Sequence, residues 1–243
     1  MQEKRYLKII KLNTVISTND YAWELGQRGE REITIVWARE QTKGKGRRNR
    51  RWYSPKDKGI YVSFLLQPGD TKGIAFLSLL TAYAVIKALA DTAPIKIKWP
   101  NDLILEGKKV GGILLKTQSR GKKITFIVVG LGLNVHTLKE ELPSGATSLF
   151  IATQRQYPLK HIFDKIVGEF ISLYQLFNQG DTTGMIKGIS TYMDTLNKKV
   201  KVLMNKEWIE GIALSFDEQG ALLLKQKDNR MQRVLPQEII HLR

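Results

Sequence analysis

The chain has 243 residues, 42% hydrophobic and 26% charged, a composition that excludes disordered, collagen-like and low-complexity classes. Lys plus Arg number 39 and Asp plus Glu 23, and the resulting net charge of +16 favours anionic partners: nucleic acid, phosphates, an acidic protein or a membrane surface. The absence of cysteine rules out a thiol nucleophile, disulfides and Cys-ligated zinc, and His136, His161 and His241 show no metal-ligand spacing.

Taken in chain order, residues 6–12 alternate like a strand. Ser17, Thr18, Asn19 and Asp20 have the S-x-x-D form of a helix start, and a helix follows to about residue 28. Residues 33–38 are a β-branched strand, 41–58 a polar basic loop, and 59–66 another strand. The longest apolar stretch, residues 73–90, is interrupted by Ser78, Thr81 and Lys87. It falls short of the roughly 20 residues that span a bilayer and reads as a buried helix. Met1, Gln2, Glu3, Lys4 and Arg5 precede no apolar signal core, so a cytoplasmic location is expected. Residues 95–99 form a strand stopped by Pro100, and 103–106, 108–116 and 122–135 read as neighbouring strands. Pro158 suits the first helical position, and apolar residues from Ile162 to Phe177 keep a 3.6-residue period before Gly180. A short helix covers 184–193. From residue 198 short strands with Gly or Asp turns predict a small β-barrel. The expected fold is α+β: a mixed β-sheet with helices on one side over residues 1–194, then a small β domain over 195–243.

Three segments carry candidate chemistry. The first runs from Lys43 to Trp52 and combines glycines, which let backbone approach a ligand, with Arg47, Arg48, Arg50 and Arg51, whose planar forks suit phosphate and carboxylate oxygens. The same composition also suits a solvated charge run or a nonspecific nucleic-acid patch. The second is Lys98, Trp99, Pro100, Asn101 and Asp102 at a strand exit. Asn101 and Asp102 suit Mg²⁺ beside phosphates, although such residues more often bond their own turn. In the third, strict alternation puts Lys109, Gly111, Ile113 and Leu115 on one face, and Gly130, Gly132 and Asn134 on one face of the next strand. Paired glycine strands would leave a flat trough for a thin apolar ligand, or would mark β-bulges or tight packing.

In order and spacing these segments resemble the catalytic core of the biotin protein ligases, whose motifs are matched by Gly44 to Trp52, intact KWPND at 98–102, Lys109 to Leu114, and Gly130 to Asn134. An S-T-N stands at 17–19 and an A-T-S-L at 146–149. The resemblance implies a class II synthetase-like core followed by an SH3-like barrel, and the short type without an N-terminal DNA-binding domain. It implies activation of biotin as biotinyl-5′-AMP with Mg·ATP and transfer to a lysine of a biotin carboxyl carrier protein. Specific DNA binding and membrane association are not expected, and exposed edge strands would permit a homodimer.

By motif position, Ser17, Thr18, Asn19, Gln41, Gly44, Lys45, Gly46, Arg47, Lys109, Gly111, Gly112 and Gly132 correspond to biotin-binding positions. Arg47, Arg48, Trp52, Lys98, Asn101, Lys109 and Asn134 correspond to ATP-binding ones. Lys109, Arg47, Lys45 and Asp102 are the catalytic candidates, with Asp102 also the candidate for Mg²⁺. Two positions depart from the family pattern. Lys45 replaces an arginine and keeps the charge without the fork, and Asn49 replaces a glycine. A lipoate or octanoate ligase, a nucleic-acid-binding protein and a biotin-holding module without chemistry are the competing readings.

Overall fold

The computed structural model describes residues 7–30, 33–67, 73–121, 123–204, 207–236 and 239–240. Tyr6, Lys122 and His241, and the five residues that open the chain, lie outside them. Strands β1 (Lys8–Val15) and β2 (Thr34–Gln41) are parallel and joined by α1 (Thr18–Gln27). The capping serine is where the sequence puts it: Ser17 Oγ accepts from Asp20 N at 3.4 Å. Strands β3 (Gly59–Leu66), β4 (Lys96–Lys98), β5 (Asp102–Leu105), β6 (Lys108–Arg120) and β7 (Lys123–Asn134) complete a seven-stranded mixed sheet, ordered β1-β2-β3-β7-β6-β5-β4.

Helices α2 (Phe76–Ala88), α4 (Leu159–Asn178) and α5 (Thr183–Tyr192) cover one face of this sheet. Ile35, Ile60, Val62, Phe64, Val129 and Leu131 point into that layer, where Phe64 stacks on Phe170 at 3.9 Å and Trp37 on Phe163 at 4.2 Å. The short α3 (Leu149–Thr153), which the sequence pattern did not reveal, is capped by Ser148, whose Oγ accepts from Ile151 N. Pro158 is the cap of α4 rather than its first residue. The apolar run at 73–90 becomes helical only at Phe76, after a turn over residues 73–75 in which Gly73 has a positive φ of 74°.

Helix α1 lies on the other face, where Ala22 packs on Val36, Leu65, Phe126 and Val128. Lys116 sits 3.7 Å from the centre of the Trp23 ring. The helix covers only part of that face. Beyond its N-terminus the sheet is open, and the cleft described below occupies the gap.

The C-terminal strands β8 (Lys199–Met204), β9 (Glu207–Phe216), β10 (Leu222–Lys225), β11 (Met231–Val234) and β12 (Ile239–Ile240) form an antiparallel sheet in the order β11-β10-β9-β8-β12. Trp99 ties it to the larger sheet. Its ring is fully buried, its Nε1 donates to Gly220 O at 2.9 Å, and its backbone N donates to Thr195 Oγ1 at 2.8 Å. Replacing Trp99 by Phe strands the buried Gly220 carbonyl, which costs about 1–3 kcal/mol. Urea unfolding of Trp99→Phe is therefore expected to show a clearly lowered midpoint; an unchanged midpoint would contradict this account.

Candidate active site

The glycines build the floor of the cleft. In the register of β6 and β7, Gly112 lies opposite Gly132 and Leu114 opposite Gly130. A Cβ at Gly130 would collide with the Asn19 side chain, and one at Gly132 with the Trp52 indole. The bare backbone at these positions is what admits α1's first turn and the loop's tryptophan to the sheet.

Strict alternation on β6 does not hold. Leu103 pairs with Gly111 but Ile104 pairs with Lys109, so Val110 is the extra residue of a β-bulge. The bulge puts Lys109 on the same face as Gly112, whose Cβ would lie 3.4 Å from Lys109 Nζ. Gly111 turns the other way, toward Leu103 and Leu133, and lies outside the cleft. Gly111, expected among the biotin-binding positions, is not among the residues that line the cleft. Gly44 also lies outside the cleft: it packs closely on the Trp52 carbonyl and Ser54, shaping the loop instead.

The cleft encloses about 640 Å³. At one end stand Ser17, Thr18 and Asn19, all buried. Gln41 Oε1 accepts from Thr18 N at 2.8 Å and from Thr18 Oγ1 at 3.0 Å. Ser63 Oγ donates to Asn19 Oδ1 at 2.5 Å, and Asn19 Nδ2 donates to Leu114 O at 3.3 Å. Ser63 was not anticipated; a buried serine in the otherwise apolar strand GIYVSFLL was its signal.

At the other end Lys98, Asn101, Asp102, Lys109 and Asn134 converge. Lys109 Nζ lies 2.5 Å from Asp102 Oδ1 and 5.6 Å from the centre of the Trp52 ring. Asn101 Nδ2 donates to Ile113 O at 2.8 Å, and Asn134 Nδ2 to Thr147 O at 3.0 Å. The A-T-S-L segment and the glycine before it brace the lysine. Lys109 N donates to Gly145 O and Thr147 N donates to Lys109 O, which fixes the backbone at that position.

Residues 43–53 form the roof. This segment is a hydrogen-bonded hairpin rather than a featureless loop: Lys45 bridges Arg51, Gly46 N donates to Arg50 O, and Trp52 N donates to Gly44 O. At its tip Arg48 and Asn49 take left-handed backbone, with φ of 56° and 59°. A short polar residue adopts this conformation readily, which is why Asn49 can stand where glycine is usual. Arg47 Nη1 donates to Asn101 Oδ1 at 3.0 Å, and its Nη2 donates to Pro236 O in the segment after β11. Burial, reinforced by Arg48, pulls the Arg47 pKa below its ordinary value while Asp102 opposes the shift. Lys45 lines the rim, but its amine is engaged by Asp20. Arg50 and Arg51 of the basic segment and Ala146 of the A-T-S-L segment also line the cleft, together with Tyr53, Leu142 and Pro143, which no motif marked.

The mixed sheet of this order with a smaller antiparallel sheet beside it is the fold of solved biotin protein ligases. The chain belongs to the biotin/lipoate A/B protein ligase family, whose model matches residues 12–134. It is 30% identical over 224 residues to the bifunctional ligase/repressor BirA of Bacillus subtilis, covering 89% of this chain and 69% of that protein. It is 39% identical over 123 residues to the biotin–[acetyl-CoA-carboxylase] ligase of Paracoccus denitrificans, covering 49% of this chain and 51% of that one. The structure of the biotin protein ligase from Aquifex aeolicus in complex with biotin and ATP aligns with a TM-score of 0.84 at 29% identity, covering 97% of this chain and 99% of that one.

If the bare floor is what admits the contents of the cleft, a methyl group there evicts them. Gly130→Ala is expected to displace Asn19 and lower biotin affinity at least tenfold. The check is titration calorimetry, with circular dichroism to establish that the variant is folded; unchanged affinity would refute the role given to the trough.

Proposed function

We propose that the chain activates biotin as biotinyl-5′-AMP with Mg·ATP and then transfers it to a lysine of a biotin carboxyl carrier protein. The observation that carries this reading is the cationic hairpin over a glycine-floored cleft whose lining also includes the apolar Trp52, Ile113, Leu114 and Leu131. One end of the cleft offers uncharged hydrogen-bonding groups and the other offers cations. A ligand with a polar neutral head, an apolar body and a carboxylate tail matches that sequence of surfaces. The head would meet Ser17, Thr18 and Asn19, and the tail would reach Lys109.

In the first step a biotin carboxylate oxygen attacks the α-phosphorus of ATP, and the bond from that phosphorus to the bridging oxygen of pyrophosphate breaks. Both reactants are anions, so fixed cations at the point of attack lower the barrier most. Lys109, Arg47 and Arg48 are assigned this work. Asp102 holds the Lys109 ammonium before substrate arrives, and incoming oxygens replace it as partner. Arg48 and Trp52 are assigned to the nucleotide with Lys98, Asn101 and Asn134. In the second step the carrier's lysine, as the neutral amine, attacks the acyl carbon, the bond to AMP breaks, AMP leaves with the negative charge, and the proton released from the nitrogen passes to solvent.

Magnesium bound with ATP is typically held by one or two carboxylates plus the phosphates. Asp102 is the one carboxylate lining the cleft among the described residues, which fits an ion carried mainly by the triphosphate. The ion would supply charge neutralisation there. The charge of +16 would favour encounter with ATP and with an acidic carrier domain. No described helix is long and apolar enough to cross a membrane.

Biotin-dependent ATP–pyrophosphate exchange tests the reading directly: exchange with biotin but not with lipoate or octanoate is expected. Exchange with lipoate alone would reassign the acid, and no exchange in folded protein would refute adenylation. Lys109→Ala is expected to lose about 2–4 kcal/mol of transition-state stabilisation, the scale of one oxyanion donor. A kcat/KM within about twofold of wild type would remove Lys109 from this role.

A further inference from the structure

We infer that Asp20 is a positioning residue that fastens the roof hairpin over the Ser17–Asn19 end of the cleft through Lys45. The Lys45 amine lies 2.8 Å from Asp20 Oδ1 and 2.7 Å from its Oδ2. The hairpin is held at its root by Thr42 N to Val15 O and Lys43 N to Ile16 O. On the far side Arg47 ties it to Asn101 and Pro236. The Lys45–Asp20 pair is its tie to the first turn of α1, one residue beyond Asn19. A displacement of this strap therefore opens the end of the cleft assigned to the head of the acid and leaves the Arg47 side in place.

The pair is suited to reversible closure. The side chains keep 53% and 29% of their exposure, so water competes for both charges and the pair shifts an equilibrium by only a few-fold. The same exposure makes it salt-sensitive. An acid in the first turn also favours α1 itself through the helix dipole, and the test must separate the two effects.

The assignment of the acid's head rests on the biotin reading; the strap itself does not. The first measurement is cutting of the ligand-free hairpin by an arginine-specific protease. Asp20→Asn is expected to speed cutting about two- to fivefold at low salt, with the difference lost near about 0.5 M salt. Asp20→Glu restores slow cutting. In a Lys45→Met background Asp20→Asn adds nothing, whereas additive effects would mean that Asp20 acts through the helix and would overturn the inference, as would unchanged cutting. The second measurement is the exchange assay, where Asp20→Asn raises the KM for biotin about two- to fivefold and leaves the KM for ATP unchanged. Equal rises in both overturn the positional claim. Wild-type protein without exchange activity would count against the biotin reading alone, since the cutting rates judge the strap independently.

Discussion

The bare backbone at Gly112, Gly130 and Gly132 is the constraint on which the cleft depends. Two strands of a close-packed sheet normally present side chains to whatever covers them. Here the surface drops by the height of a side chain, and Asn19 and Trp52 enter the space. The first turn of α1 thereby reaches the sheet, where Ser63 and the Leu114 carbonyl hold Asn19 in one orientation. Glycine inside strands costs stability, and the long apolar layer of α2 and α4 on the opposite face offsets that loss.

A second constraint is electrostatic. A cleft whose roof and walls carry Lys45, Arg47, Arg48, Lys98 and Lys109 would be driven open by its own charge. Three of these cations meet oxygen atoms of the protein: Lys109 meets Asp102, Lys45 meets Asp20, and Arg47 meets Asn101 and a carbonyl. These contacts offset the mutual repulsion of the cations. Because Arg47 reaches the segment after β11, the smaller sheet takes part in holding the roof. Trp99 supplies the other link, so a residue inside the KWPND motif serves packing while its neighbours Asn101 and Asp102 face the cleft.

Much of this was legible in the chain itself. Local hydrogen bonding sets the α1 cap at Ser17, and β-branched and alternating runs mark the strands. The 3.6-residue period of α4 appears in the structure with Ile162, Phe163, Ile166, Val167, Phe170 and Tyr174 buried, while Ile171 and Phe177 are only partly buried and Leu173 joins the core. The cationic hairpin, the glycine strands and the KWPND exit were visible as motifs because their chemistry is local to each segment. Within the cleft, strict alternation fails at the bulge at Val110, and the consequence is large. It moves Gly111 out of the cleft and brings Lys109 and Gly112 onto one face.

What the sequence by itself determined is the longer helices and most of the strands and the identity of the reactive groups, since these follow from propensity, period and side-chain chemistry within a few residues. What only the tertiary structure decided is which groups meet: Lys45 with Asp20, Ser63 with Asn19, Arg47 with Pro236, and α1 on the face opposite α2 and α4. Those pairings join residues distant in sequence, 25 apart for the first and 189 for the third. Strand register, a single inserted residue and the depth left by glycine set them, and none of these is a property of any one segment.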